Sequence, residues 1–347
     1  MGCELETVSG LGCVVGKIVI AGASGFIGKS LVEHFSGQGH TVITVGRGGS
    51  AGGGVTQPSV NFAAWSDTEA LHGALDGSDL LVNLAGKNVG CRYHDAARNE
   101  ILNSRLRTTR ALLAAVTQVD SPPKVWLNAS TATIYRHAMD HAQTESSGEI
   151  GLGFSVDVAR NWEREFFSGE LPKTRRVALR MAIVLGDGPA TQKLALLARV
   201  GLGGPQIDGW APSHDRYRGI GPDPSGDGSA PHYHSRGNQM FSWIHIDDLI
   251  RAIDFIVEHP ELDGPVNLSS PHPVPNRELM RSLRAAVGMP VGLPSYRWML
   301  EPAMALARQE PEMLLKSRWV VPEKLLASGF SFVWPELGPA LADLQKR

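Results

Sequence analysis

The stretch KIVIAGASGFIGKS, residues Lys17–Ser30, decides the fold of this chain. Four apolar residues, Ile18–Ala21, run directly into three glycines spaced Gly22-x-x-Gly25-x-x-Gly28. Where a buried strand meets the N-terminus of a helix, Gly22 permits a tight turn, Gly25 lets a pyrophosphate approach the backbone, and Gly28 lets the helix pack on the strand. The stretch therefore predicts a dinucleotide-binding turn.

The same letters come close to a second phosphate-binding motif. Residues 23–30 differ from the P-loop pattern G-x-x-x-x-G-K-[ST] only at the first position, which is Ala23. In a P-loop that glycine provides the curvature of a loop whose backbone N–H groups and lysine surround the β- and γ-phosphates. A nucleotide hydrolase that uses Lys29 is therefore kept as an alternative. In a dinucleotide-binding fold, Lys29 is a solvated helix residue.

The residues after Gly28 predict a helix and then a second strand. Apolar side chains at positions 27, 31, 32 and 35 have helical spacing, and Gly37 ends the helix. The strand Thr41–Val45 follows, and in a Rossmann fold its end meets the adenosine ribose. An acidic residue there would bind the 2′-hydroxyl of NAD, whereas the guanidinium of Arg47 suits the 2′-phosphate of NADP. We predict NADP, with a merely solvated Arg47 as the alternative.

The composition is that of an enzyme-sized globular protein. The chain has 347 residues, of which 42% are hydrophobic and 20% charged, and its net charge is −2. This balance predicts no nucleic acid or membrane partner, and no apolar stretch reaches the ~18 residues that span a bilayer. Three cysteines without metal-ligand spacing indicate a reducing compartment, so we expect a cytoplasmic protein. Residues 1–16 lack the basic start of a signal peptide and are expected to form a flexible leader.

Strands alternate with helices in the order that a doubly wound parallel sheet requires. The runs 79–86, 124–130 and 176–185 predict strands, and 101–116 predicts a long helix. Because parallel strands bind ligands at their carboxyl ends, Leu84–Gly86, Ser130–Thr133 and Met181–Val184 should border one crevice. The sequence therefore predicts an α/β fold with one site built from separate segments.

These features resemble the extended short-chain dehydrogenase/reductases, a family that includes nucleotide-sugar epimerases and dehydratases. The landmarks that match are the glycine spacing, Asn83–Gly86, Ala129–Tyr135 and Trp243–Leu249. Within the family the chain is most similar to an atypical branch of epimerase-family, or cell-division-inhibitor-like, proteins. That similarity is carried by Ser104–Arg110, Trp162-Glu163, Gly201–Pro205, Gly264–Leu268 and Pro322–Phe332, the last in a short C-terminal module of unassigned role.

The resemblance implies a Rossmann-type doubly wound parallel sheet with a smaller C-terminal α+β substrate region. The NADP-binding domain is predicted at 17–190 plus 240–258, and the substrate region at 191–239 and 259–347. The predicted cofactor-binding residues are Gly22, Ser24, Gly25, Phe26, Ile27, Gly28, Arg47, Leu84, Ala85, Gly86, Ser104, Ala129, Ser130 and Met181.

One feature of ordinary family members is missing. They carry Tyr-x-x-x-Lys on the helix after the Ser/Thr strand, where the lysine lowers the pKa of the tyrosine that exchanges a proton with the substrate. That helix is predicted here at Phe154–Phe166. Alignment on Glu163, as the acidic residue four positions after the lysine, places Ser155 and Ala159 at the Tyr and Lys positions. Neither side chain can perform that role, so the reaction stays open.

Two candidate catalytic groups remain at the end of the Ser/Thr strand. Thr131 matches the family hydroxyl that hydrogen-bonds the substrate oxygen, and the alternative is a hydroxyl that bonds only to backbone. Tyr135 offers a phenol close by, although the family pattern favours a structural role for it. His137 and His141 have the spacing of metal ligands on a helix, but the residues between them do not predict a helix. No metal is therefore predicted.

Residues 205–240 are rich in Gly, Pro, Asp and His and predict an inserted loop. The segment Pro231–Ser235 suggests a metal site or a lid, and a solvated excursion is the alternative. An aspartate after His245 is expected to cap the following helix. Trp298 and other Trp and Met residues of the C-terminal third are expected to form the core of the second region, and Arg318 is a candidate for binding a substrate anion.

The sequence thus predicts an NADP-binding oxidoreductase or epimerase that acts on a small carbonyl or nucleotide-sugar-like substrate. A second hypothesis is a catalytically silent NADP(H) sensor that works through a protein partner. The missing Tyr and Lys favour the sensor, and Thr131 favours the enzyme. Whether the chain forms a homodimer is left open.

Overall fold

The computed structural model describes residues 16–48, 59–199 and 201–346. The predicted leader lies outside these ranges up to residue 15, as do Cys3 and Cys13. Cys91 lies within them and is a free thiol. Across these ranges, no helix combines the length and apolar content that a transmembrane span requires.

The strands are numbered β1 to β13 along the described part of the chain. They are β1 (Lys17–Ala21), β2 (Thr41–Gly46), β3 (Val60–Ala64), β4 (Leu80–Asn83), β5 (Val125–Thr131), β6 (Arg175–Met181), β7 (Ile183–Leu185), β8 (Gln206–Ile207), β9 (Met240–Phe241), β10 (Trp243–His245), β11 (Gly264–Leu268), β12 (Val274–Pro275) and β13 (Ser295–Tyr296).

The α-helices surround these strands. They are α1 (Phe26–Gly37), α2 (Thr68–Leu75), α3 (Asp95–Gln118), α4 (Phe154–Phe166), α5 (Pro189–Arg199), α6 (Ile246–Glu258), α7 (Asn276–Ala286), α8 (Arg297–Leu306), α9 (Glu312–Leu315), α10 (Glu323–Ala327) and α11 (Leu337–Leu344). Short 3-10 turns occur at Ala132–Ile134 and Asp215–Tyr217. The helix predicted at Phe154–Phe166 is confirmed with the same bounds.

The main sheet has seven strands in the order β3-β2-β1-β4-β5-β6-β11, and each neighbouring pair is parallel. The order 3-2-1-4-5-6 is that of Rossmann-type dinucleotide-binding folds. The predicted α/β doubly wound sheet is therefore confirmed. This strand order gives no support to the P-loop alternative.

Two segments differ from the sequence-based expectation. The single strand predicted at 176–185 is divided at Ala182, because β7 leaves the main sheet and pairs with β10, with Ile183 opposite Trp243. The N–H group of Ala182 donates to the carbonyl of Leu268 at 2.9 Å, at the end of the main sheet.

The second difference concerns β11, which the sequence assigns to the substrate region at 259–347. The strand instead pairs with β6, with Val266 opposite Leu179, and extends the main sheet. Its apolar side chains Val266 and Leu268 are fully buried in the core that the other strands share. The strand belongs to the main sheet because its apolar side chains are buried there, although it lies late in the chain.

The strands of the main sheet bury both faces, and successive residues alternate between two cores. In β1, Ile18 and Ile20 face the core that Leu31 of α1 completes, whereas Val19 faces the core that contains Leu112 of α3. Burying each such aliphatic side chain stabilises the fold by about 1.5–3 kcal/mol. The glycine-rich turn is therefore held between a buried strand and a buried helix face.

A smaller α+β region has a core of its own. It is formed by β7, β9, β10, α5, α7 and α11, which contribute Leu185, Phe241, Trp243, Leu194, Met280 and Leu341. Leu300 and Met304 of α8 pack with Leu315 in a separate cluster. Trp298, which the sequence assigns to this core, is instead 73% exposed.

The predicted insertion at 205–240 is anchored by two buried charges. The guanidinium of Arg98 donates to the carbonyls of Arg216, Arg218 and Gly219 at 2.7, 2.7 and 3.0 Å. The carboxylate of Asp157 accepts from the N–H groups of Ile220 and Ser225 at 2.9 and 2.7 Å and from the Ser225 hydroxyl at 2.6 Å. These bonds fix the insertion against α3 and α4, so it is not a solvated excursion.

A buried ion pair connects α4 to the sheet. Glu163 of α4 accepts two hydrogen bonds from the guanidinium of Arg180 in β6, at 2.9 and 2.7 Å. The side chains of Arg180 and Glu163 are only 10% and 11% exposed. Glu163 also accepts from the hydroxyl of Ser130 in β5 at 2.5 Å. One carboxylate therefore holds two strands and one helix together beneath the carboxyl end of β5.

We predict that Glu163→Ala lowers the free energy of unfolding by about 3–5 kcal/mol, because it leaves the buried Arg180 charge without a partner. The control is Glu165→Ala on the same helix. Glu165 pairs with Arg110, whose side chain is 60% exposed, so its removal should cost less than about 1 kcal/mol. Urea denaturation measures both variants. Equal losses would show that the buried pair contributes no more than the surface pair.

Candidate active site

A cavity of about 480 Å³ opens where the carboxyl ends of β1, β4, β5 and β6 meet. At one end it is lined by the glycine-rich turn. At the other end it is lined by Thr131 and Thr133, by the α4 face that carries Ser155, and by Glu312 and Arg318 of the C-terminal segment. The predicted crevice between separate strand ends is therefore present.

Two of the three motif glycines are required by the fold of the protein, independently of any ligand. Gly22 has a φ of +85°, and a Cβ atom there would lie 2.7 Å from the carbonyl carbon of Leu84. A Cβ atom on Gly28 would lie 2.6 Å from the carbonyl oxygen of Gly22. Contacts this short exclude any side chain at either position. These glycines allow the turn and the helix to pack against the strands.

Gly25 differs from its two neighbours in the motif. It caps the N-terminus of α1 in an extended conformation, with φ −75° and ψ 167°, which any residue can adopt. A Cβ atom there would contact only the carbonyl oxygen of Gly22, at 3.5 Å. The fold therefore tolerates a side chain at Gly25, and only the open space in front of the helix N-terminus would be filled. This space fits the diphosphate of a dinucleotide, which helix N-termini bind well.

The predicted cofactor residues divide into two groups. Nine line the cavity: Gly22, Gly25, Phe26, Ile27, Gly28, Leu84, Ala129, Ser130 and Met181. Five, all in the described ranges, lie outside the cavity wall: Ser24, Arg47, Ala85, Gly86 and Ser104. The hydroxyl of Ser104, on α3, accepts from the N–H group of Lys87 at 2.9 Å. Arg47 is exposed just beyond the carboxyl end of β2.

The two predicted catalytic residues lie in different surroundings. Thr131 ends β5 in the cavity wall, and its hydroxyl oxygen accepts from the N–H group of Thr133 at 3.1 Å. Tyr135 is fully buried outside the cavity, where its hydroxyl donates to Asn267 and accepts from Arg180, both at 2.9 Å. Burial raises the pKa of Tyr135, and the charge of Arg180 only partly opposes this effect. Tyr135 therefore links β6 and β11 through its hydroxyl and lies outside the cavity wall.

Ser155 and Ala159, at the positions of the family's Tyr and Lys, both line the cavity. The Ser155 hydroxyl donates to Oε2 of Glu312 at 3.1 Å. Sequence reasoning missed Glu312, because it lies 157 residues from Ser155, in the short helix α9 of the C-terminal module, which spans residues 297–344. No local pattern marks it.

Arg318 and Lys316 of the same module hold Thr133. The Nε atom of Arg318 donates to the Thr133 hydroxyl at 3.0 Å, and Nζ of Lys316 donates to the Thr133 carbonyl at 2.8 Å. Burial lowers the pKa of Lys316 to about 8, the charge of Glu312 opposes this shift, and the charge of Arg318 adds to it. Arg318, the candidate for binding a substrate anion, lines the cavity, and two of its nitrogens already donate to protein oxygens.

The histidines singled out in the sequence have other roles. His137 accepts from the N–H group of Ser317 at 2.9 Å, and burial lowers its pKa to about 4. His141 instead lies beside Asp140, at 3.1 Å. In the segment Pro231–Ser235, the ring of Tyr233 stacks on His137 with ring centres 4.4 Å apart.

The expected aspartate cap is replaced by a histidine cap. His245 caps α6 by accepting from the N–H group of Asp247 at 3.2 Å. Asp248, which is fully buried, accepts from the N–H groups of Val333 and Trp334 at 2.8 Å each. Its carboxylate therefore fixes the C-terminal segment rather than the helix end.

Comparison with known proteins agrees with this architecture. Residues 18–151 match the NAD dependent epimerase/dehydratase family, and residues 297–344 match a domain of unknown function, DUF1731. Epimerase family protein SDR39U1 of Mus musculus is 30% identical over 335 residues, which is 94% of this chain and 99% of that protein. Epimerase family protein YfhF of Bacillus subtilis (strain 168) is 26% identical over 329 residues, covering 94% of this chain and 97% of that protein.

A solved structure is also similar. The crystal structure of human epimerase family protein SDR39U1 (isoform2) with NADPH has a TM-score of 0.77 at 28% identity, covering 95% of this chain and 99% of that chain. The glycine turn, the strand order and the C-terminal module agree with this likeness. The chain therefore belongs to the NAD-dependent epimerase/dehydratase family, as an atypical short-chain dehydrogenase/reductase with a Rossmann-type NAD(P)-binding fold.

Proposed function

We propose that the protein is an NADP(H)-dependent oxidoreductase or epimerase that acts on a small carbonyl or nucleotide-sugar-like substrate. The observation that carries this proposal is a continuous cavity that joins the glycine-rich turn to a cluster of hydroxyl and charged groups. A pocket of this kind, apolar over most of its wall with a few convergent polar groups, suits a cofactor and a small substrate together.

The cofactor would be held by the residues around the turn. The backbone at Gly25 and the N-terminus of α1 would bind the diphosphate, because the helix dipole and the open space favour an anion there. Phe26, Leu84 and Met181 provide apolar wall for the rest of the molecule. Bound NADP(H) would donate or accept a hydride at the substrate carbon.

Arg47 supports NADP over NAD. It follows β2, the strand whose end meets the adenosine ribose in this fold, and its side chain is exposed and available to a 2′-phosphate. The NADPH in the human relative is consistent with this choice. The free thiol of Cys91 accords with a reducing, cytoplasmic environment.

Thr131 would hydrogen-bond the substrate oxygen. Its hydroxyl oxygen accepts from Thr133 N–H, which leaves the hydroxyl hydrogen available to a ligand in the cavity. Such a bond orients the carbonyl and stabilises charge that develops on its oxygen.

A second candidate function is a catalytically silent NADP(H) sensor. The observation that favours it is the absence of an ionisable side chain at Ser155 and Ala159, where the resemblance places the proton donor and its lysine. A sensor would bind the same cofactor without turnover.

We expect Gly25→Val to stay folded and to lower NADPH affinity at least ~10-fold, about 1.4 kcal/mol, because the side chain fills the space for the diphosphate. The control is Gly73→Val on α2, where a Cβ atom meets nothing within 4 Å and which does not line the candidate cavity. Fluorescence titration with NADPH and thermal unfolding measure both variants. Unchanged NADPH affinity in folded Gly25→Val would refute the proposed diphosphate site.

Arg47→Ala should weaken NADPH binding by roughly 10- to 100-fold and leave NADH binding unchanged, since charged hydrogen bonds contribute about 1.5–3 kcal/mol. Lys29→Ala, which removes an exposed cation from α1, should not change the NADPH-to-NADH affinity ratio. Parallel titrations with the two cofactors give this ratio. An equal loss for NADH would mean that Arg47 does not read the 2′-phosphate.

Turnover is tested by NADPH oxidation with a panel of small ketones, aldehydes and nucleotide-linked keto-sugars, and by epimer formation from nucleotide sugars, because an epimerase consumes no net NADPH. Thr131→Ala should reduce kcat about 100-fold with NADPH affinity unchanged, because the substrate oxygen loses a hydrogen-bond donor. Thr131→Ser keeps the hydroxyl and should retain most of the activity. Tight NADPH binding without turnover of any panel member by the unmodified protein would favour the sensor.

A further inference from the structure

The C-terminal module places a carboxylate in the active-site cavity. Glu312 begins α9, lines the cavity, and accepts a hydrogen bond from the Ser155 hydroxyl at 3.1 Å. Ser155 lies on α4 at the position of the family tyrosine, and Thr131 lies in the same cavity wall. A substrate oxygen that hydrogen-bonds to Thr131 and Ser155 would therefore be connected to the Glu312 carboxylate through the Ser155 hydroxyl.

We propose that Ser155 and Glu312 form the proton path that stands in for the missing Tyr and Lys. In oxidation, the Ser155 hydroxyl gives its proton to the Glu312 carboxylate and takes the proton of the substrate hydroxyl, as the substrate carbon gives up a hydride to NADP⁺. In reduction each proton moves in the opposite direction, and the carbonyl carbon receives the hydride that NADPH supplies. This inference rests on the proposed oxidoreductase or epimerase function.

The chemistry of the two side chains makes a pair necessary. A serine hydroxyl alone neither gives up nor accepts a proton readily near neutral pH, and it acts in enzymes when a neighbouring acid or base shares its proton. Glu312 supplies such a group at hydrogen-bond distance. The hydroxyl at Ser155 would touch the substrate, and the carboxylate would act through it.

The groups that face Glu312 come from several elements. They are Tyr93 before α3, Tyr233 of the insertion, and Glu310 and Lys316 of the same module. Burial, and then the charge of Glu312, raise the pKa of Tyr93, and a hydrogen bond with Ser155 opposes this shift. Tyr93 is therefore a neutral phenol and a competing proton donor that the experiment must separate from Glu312.

The test compares Glu312→Gln and Ser155→Ala with Ser155→Thr, which keeps the hydroxyl, and with Tyr93→Phe. Glu336→Gln is the matched control, since this carboxylate of the same module is exposed and pairs with His272. NADPH affinity, kcat for the best carbonyl substrate of the panel, and the pH dependence of kcat are measured. The unfolding temperatures of the cofactor-free single and double variants measure the coupling between Ser155 and Glu312 independently of enzymatic activity.

We expect kcat to fall roughly 100-fold in Glu312→Gln and in Ser155→Ala, with NADPH affinity unchanged, and to be largely kept in Ser155→Thr and Glu336→Gln. The pH dependence of kcat should change in Glu312→Gln, because an amide cannot exchange a proton with the Ser155 hydroxyl. A purely structural Glu312 would leave the pH profile in place. The losses in unfolding temperature of the two single variants should be non-additive.

Several results would overturn the inference alone: normal kcat in Glu312→Gln, an unaltered pH profile, additive unfolding losses, or a loss confined to Tyr93→Phe. Absence of turnover by the unmodified protein across the panel would instead overturn the proposed enzymatic function, and this inference with it. The two failures are therefore distinguishable.

Discussion

The buried ion pair between Arg180 and Glu163 is the constraint on which the geometry of the candidate site depends. Burial opposes the charge of Arg180, but the hydrogen bonds and the charge of Glu163 outweigh it and raise the pKa of Arg180. Because Glu163 also binds Ser130, and Arg180 binds Tyr135, one pair fixes β5, β6 and α4 relative to one another. The positions of Thr131 and Ser155 across the cavity follow from this network.

The two halves of the chain contribute different parts of the site. The Rossmann sheet supplies the glycine turn and the end of β5, which are suited to a dinucleotide. The C-terminal module supplies Glu312 and Arg318, and Lys316 and Arg318 hold Thr133 in place. The module therefore forms part of the cavity wall, and it gives polar side chains to a candidate site from which the usual Tyr and Lys are absent.

The insertion at 205–240 shows how a polar segment becomes ordered. It has little apolar periodicity of its own, but Arg98 and Asp157 satisfy its backbone groups from α3 and α4. Ile220 then packs beside Phe154 and Val158, behind the cavity wall. The insertion thus supports the α4 face that carries Ser155 without lining the cavity itself.

The sequence by itself determined the parallel sheet, the glycine turn and the wall positions of Thr131 and Met181, because strand alternation and glycine spacing are local patterns. Only the tertiary structure shows that β11 belongs to the main sheet, that Tyr135 lies outside the cavity wall and that Glu312 contacts Ser155. Those outcomes depend on contacts between residues that are far apart in the chain. Burial and hydrogen bonding between such distant residues produce no periodic pattern in the sequence from which they could be predicted.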